Sequence, residues 1–145
     1  MKKIILSLGV ISMFYSCLNY IPCKGQDYVI ENITHQELIS RFNELREKYP
    51  EYCAAGQDYA NEYVPHYYVS LKLKGNLTVN LDVFIGDQIP NPPTHLAFTD
   101  VWSSTESKQI NSKELDKKLN EQYKKEFETE ILDKLGLKWK RKSCW

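Results

Sequence analysis

The chain has 145 residues, with 19 basic and 19 acidic side chains, so no net charge at pH 7. At 42% hydrophobic and 12% aromatic it is too apolar for a disordered chain, and one folded domain fits its length. Charge balance argues against a general nucleic-acid binder, which needs a basic excess.

Met1-Lys2-Lys3 precedes a mostly apolar run from Ile4 to Tyr15. This is the layout of a secretory signal: a basic start, then an apolar stretch shorter than the ~20 residues that span a bilayer. Two cuts compete. One follows Gly25, with the small residues Cys23 and Gly25 at −3 and −1. The other precedes Cys17, where Met13-Phe14-Tyr15-Ser16-Cys17 looks like a bacterial lipoprotein signal with bulkier residues than usual. Lipidation at Cys17 would give a membrane-anchored lipoprotein. Cutting after Gly25 leaves the even pair Cys53 and Cys144, which suits an oxidising compartment, and is preferred. The expected organisation is a signal over 1–25 and a single domain over 26–145, secreted or periplasmic, with sixteen bases against nineteen acids.

Residues 27–33 (DYVIENI) read as a short strand. Thr34-His35-Gln36-Glu37 is a capping box, and Leu38, Ile39, Phe42, Leu45 and Tyr49 form one helical stripe that Pro50 ends. Residues 50–63 read as irregular or weakly helical. The period then changes to two: Val69, Leu71 and Leu73, then Leu77, Val79, Leu81, Val83 and Ile85, alternate with mostly polar residues across the turn Lys74-Gly75-Asn76. A proline-stiffened loop (86–94) breaks the sheet, 95–104 supplies a third strand, and Asn111 or Ser112 caps a second helix. Its stripe is Leu115, Leu119, Tyr123, Phe127 and Ile131, with Gly136 as terminator. The tail alternates Leu137, Trp139 and Arg141 and suits a short strand. The predicted fold is α+β: a three- to four-stranded antiparallel sheet packed against two helices, in the order (β)-α-β-β-β-α.

No motif for catalysis or a cofactor is visible. Glycine-rich phosphate loops, a Gly-x-Ser-x-Gly elbow and Cys-x-x-Cys are absent, and His35, His66 and His95 lack the i, i+4 spacing of a helical metal site. His95 and Asp100, an odd number apart, point to opposite faces of a regular strand. A Cys53–Cys144 disulfide is expected, tying the basic tail to the acidic N-terminal helix. The basic run Lys138–Lys142 reads as a charged strand edge. The densest feature is aromatic: Tyr49, Tyr52, Tyr59, Tyr63, Tyr67 and Tyr68. Tyrosine offers large contact area at low entropic cost, and a Pro-rich loop loses little freedom on binding. Tyr52, Tyr59, Tyr63, Pro90, Pro92 and Pro93 are therefore the expected partner surface. The expected function is an exported, non-catalytic binding protein of inhibitor or immunity type with a protein partner. The alternatives are an envelope accessory lipoprotein and a small exported enzyme.

Overall fold

A computed structural model describes residues 25–54, 58–60, 66–85 and 93–143. It is an α+β fold: a seven-stranded antiparallel sheet and two helices. The elements are β1 (Gln26–Ile30), α1 (His35–Lys48), β2 (Tyr59–Ala60), β3 (His66–Leu73), β4 (Leu77–Phe84), β5 (Thr94–Trp102), β6 (Ser107–Gln109), α2 (Lys117–Phe127) and β7 (Trp139–Lys142). The expectation of three to four strands undercounts the sheet. β2 and β6 hold two and three residues, too few for alternation to register in sequence. The spatial order is β2-β3-β4-β5-β1-β7, with β6 also pairing with β5.

α1 starts where its capping box forms. The Glu37 amide donates to Thr34 Oγ1 at 3.2 Å, and the Thr34 amide donates to Glu37 Oε2 at 2.8 Å. Leu38, Phe42 and Leu45 face the core, and Pro50 turns the chain into one tight 3-10 turn that buries Tyr52. α2 begins later than expected. Asp116 caps it, accepting from the Leu119 amide at 2.9 Å. Asn111 instead sits at φ 62° and donates its side-chain amide to the Gly25 carbonyl at 2.8 Å, pinning the loop to β1. α2 ends in a wide π turn, Glu128–Leu132, that directs Glu128, Ile131 and Leu132 inward. Gly136, at φ 66°, then lets the chain leave toward β7.

The β3–β4 hairpin has the predicted register: Val69 opposite Leu81, Leu71 opposite Val79 and Leu73 opposite Leu77. Gly75 at φ 78° and Asn76 at φ 63° close its turn. The apolar face of the sheet meets both helices in one core, around Tyr28, Phe42, Phe98 and Phe127. Phe127 is central, its ring 5.0 Å from Phe98 and 5.5 Å from Tyr28. β5 carries a bulge. Asn80 faces Asp100 and Leu81 faces Phe98, leaving Thr99 as the extra residue. Inward positions are Thr94, Leu96 and Phe98 before it and Val101 after it. The bulge shifts the phase by one, so Asp100 shares the outer face with His95. That corrects the expectation of opposite faces.

β7 is an edge strand whose basic residues are mostly engaged. Arg141 donates from Nε to Glu128 Oε1 at 2.5 Å, from Nη2 to Glu128 Oε2 at 3.0 Å and from Nη1 to Glu121 Oε2 at 2.8 Å. Lys140 pairs with Glu31 at 2.5 Å. The tail's acidic partners thus come largely from α2 rather than from α1. Inside the same network, the Tyr28 hydroxyl donates to Glu128 Oε1 at 3.0 Å. Burial, then the Glu128 charge and this hydrogen bond, push the Tyr28 phenol well above its ordinary 10.0. A raised folded pKa contributes stability that is complete below pH 10 and lost as pH rises from there toward the folded value. Wild type should therefore lose about 1.4 kcal/mol more per pH unit above 10 than Tyr28→Phe does. Urea unfolding of both proteins between pH 8 and 11.5 checks this. Parallel curves would mean that Tyr28 is not the group responsible.

Candidate functional site

The helices cover one sheet face. On the other, side chains from β2 to β5 and β1 meet in cross-strand rows. One row runs Tyr59, Tyr68, Asp82, Ala97, Asp27 and Lys142, each opposite the next. A second joins Ser70, Asn80, Asp100 and Gln109. Most of these groups are half-buried. Tyr59 at 58% and Trp102 at 50% are the exposed large hydrophobic side chains among the described residues, and both lie on this face.

Tyr59 belongs here because β2 pairs it with Tyr68, the rings 4.9 Å apart and tilted by 31°. Next to them, His66 Nδ1 lies 2.6 Å from Asp82 Oδ1, and the His66 ring stacks on Tyr68 at 6.3 Å and meets the edge of Phe84 at 5.4 Å. With a proton on Nδ1, His66 donates to Asp82.

The second row is a hydrogen-bonded ladder. Ser70 Oγ donates to Asn80 Oδ1 at 2.8 Å, and Asn80 Nδ2 donates to Asp100 Oδ1 at 2.7 Å. Asp100 also accepts from Trp102 Nε1 at 2.6 Å and from Thr99 Oγ1 at 2.8 Å. A satisfied network of this kind fixes rotamers, so Trp102 is exposed but held.

Asp27 differs. Among the described residues its carboxylate has no hydrogen-bond or ion-pair partner. Burial lifts its pKa above the ordinary 3.8; Lys142 and His95 pull it down, and Asp82 pushes it up. Burial likewise lowers the His95 imidazole below 6.5; Lys142 adds to this and Asp27 opposes it.

The residues expected to form a partner surface separate. Tyr59 is exposed as expected. Tyr52 is 3% exposed and belongs to the core, so it leaves the surface. Its hydroxyl accepts from Lys134 Nζ at 2.7 Å, and that ammonium lies 4.7 Å over its ring and 4.5 Å over Tyr49. Pro93 is exposed at the start of β5. Tyr63, Pro90, Pro92 and Cys17 lie outside the described residues. Alternation alone did not mark Tyr68, Asp82, Asp27 and Trp102 as one surface, since strand order brings them together.

A groove of about 420 Å³ beside β3 is lined by Arg46, Cys53, Asp58, Tyr67 and Ser70 among others. Its polar groups are engaged. Arg46 grips Asp58 through two contacts of 2.7 and 2.8 Å and reaches the Ser70 carbonyl at 3.1 Å. Cys53 is exposed here and bridges to Leu71 on the β2 side of β3. Cys144 lies outside the described residues, so the expected disulfide is not described.

No family model, curated protein or solved structure matches this chain. Among the described residues no three histidine, cysteine or carboxylate groups are placed to hold a metal ion, and no helix is long and apolar enough to cross a membrane.

Proposed function

We propose that this is an exported, non-catalytic binding protein of inhibitor or immunity type, which masks a protein partner with its outer sheet face. The observation that carries this reading is the placement of Tyr59 and Trp102. The two exposed large aromatics of the described residues share one face, at its opposite corners. Aromatic anchors set in a polar surround are what protein interfaces concentrate. The ladder through Asn80 and Asp100 supports the reading too, because a face with fixed side chains loses little entropy on binding.

The test is cross-linked capture from the envelope and medium fractions of the source cells, with the full chain as bait and mass spectrometry as readout. Wild type should recover one protein in near-stoichiometric amount. Tyr59→Ala/Trp102→Ala should lose it while melting at nearly the same temperature. Equal recovery by the variant, or no stoichiometric partner, would overturn the reading.

A further inference from the structure

Gly25 precedes β1 and is built into the fold. It is buried against the β5 bulge. Its φ of 100° lies in the region that glycine alone enters without strain. A Cβ there would collide with the Phe98 carbonyl oxygen and stand 2.9 Å from the Thr99 Cα, closer than side chains come to backbone. The entry to β1 therefore touches the bulge backbone to backbone.

The Gly25 carbonyl has a prepared partner. Asn111 donates Nδ2 to it at 2.8 Å, and three contacts aim that amide. The Asn111 backbone amide donates to Asn120 Oδ1 at 3.0 Å, while Asn111 Oδ1 accepts from Asn120 Nδ2 at 2.8 Å and from Lys124 Nζ at 3.2 Å. Two donors on the oxygen leave the nitrogen to face Gly25.

A cut after Gly25 would undo this arrangement. Asn111 Nδ2 would lose its acceptor. At Gln26, 7% exposed, an ammonium would replace a neutral peptide link, across the same Asn111 amide from the Lys124 ammonium. A first-position glutamine also reacts with itself. Its amine attacks the side-chain amide carbon, a C–N bond closes a lactam, and Nε2 leaves as ammonia with the proton the amine gives up. Gln26 Nε2 now donates to the Asp27 carbonyl at 3.0 Å and to the Lys142 carbonyl at 3.1 Å, so ring closure would remove both bonds.

We propose that the exported chain keeps Gly25 and is cut upstream of it, so that this glycine, rather than Gln26, opens the folded domain. Of the two cuts that compete in the sequence, the one before Cys17 meets this requirement. The inference rests on the reading of the chain as exported and restricts the processing that export can use. The glycine is then explained by the bulge it touches and not by the small pocket of a signal peptidase.

The test expresses the full chain in the source cells and reads the N-terminal peptide and intact mass of the product in envelope and medium fractions. A start at Gly25 or earlier is expected, a lipid-bearing Cys17 included. A start at Gln26, as amine or lactam, would overturn the inference and leave export standing. Retained Met1 would sink export and the cut together. Two full-chain variants probe the same question through stability. Alanine serves at the last signal position as well as glycine does, so with a Gln26 start Gly25→Ala gives an unchanged product. With Gly25 kept, the product carries the alanine and should melt about 3 °C or more below wild type. Equal melting temperatures would count against retention. Asn111→Asp keeps the acceptor oxygen but sets a carboxylate against the Gly25 carbonyl, so it should melt lower too. With a Gln26 start the same carboxylate would meet an ammonium, and a raised melting temperature would overturn the inference.

Discussion

Leu81→Asp is expected to leave the protein unfolded at room temperature. Leu81 is fully buried on β4, between Val69 of β3 and Phe98 of β5, with the core beneath it. An aspartate there would face Val69 and Phe98 rather than a cation, and burying an unpaired carboxylate costs several kcal/mol on top of the lost leucine packing. Domains of this size hold about 5–15 kcal/mol in total. Circular dichroism and a thermal scan would check it; a cooperative transition within a few degrees of wild type would overturn the register. A control comes from the opposite face, though not at the adjacent position. Alternation by itself suggests that Asn80→Asp is neutral. The ladder argues otherwise, because the new carboxylate would face Asp100 where Asn80 now donates at 2.7 Å. That variant should lose about 1–3 kcal/mol, and Lys72→Gln, at the rim, should change stability by no more than about 0.5 kcal/mol.

Tyr52→Ala and Tyr59→Ala are expected to differ by several kcal/mol, although the two tyrosines stand seven positions apart. Tyr52 fills the core end beside α1, stacks edge-on against Tyr49 at 6.1 Å and receives the Lys134 hydrogen bond. Its loss should cost roughly 3–5 kcal/mol, through a cavity and a lysine left without its acceptor. Tyr59 is 58% exposed and touches the fold chiefly through Tyr68, so its loss should cost about 0.5 kcal/mol or less. Urea midpoints of the two variants measure the contrast. Equal, large losses would place Tyr59 in the core and remove the anchor of the proposed surface.

These two cases also mark where sequence stops being informative. The β3–β4 hairpin was legible because eight-residue strands repeat their period and Gly75 marks the turn. The α1 start was legible because Thr34 and Glu37 carry a local capping geometry. Tyr52 and Tyr59 were not separable, since a tyrosine ring suits a core edge and an interface equally and only its neighbours decide. The Thr99 bulge was invisible, because one extra residue leaves composition and alternation unchanged on either side while moving Asp100 to the other face. The row of Asp82, Ala97 and Asp27 needed strand order: these residues have no sequence relation until β1 inserts between β5 and β7.

That insertion also sets when the molecule can form. β1 is made first, yet both its neighbours come late: β5 begins at Thr94, and Gln26 donates to the Lys142 carbonyl 116 positions away. Tyr28 stays without Phe127 and Trp139 until residues 127 to 139 have been synthesised. Before β7 is available, the chain can close the β3–β4 hairpin but cannot seal its first strand. Pairings this distant put folding in the slow range, milliseconds to seconds. The sheet therefore seals around β1 only once β7 is free to pair with it.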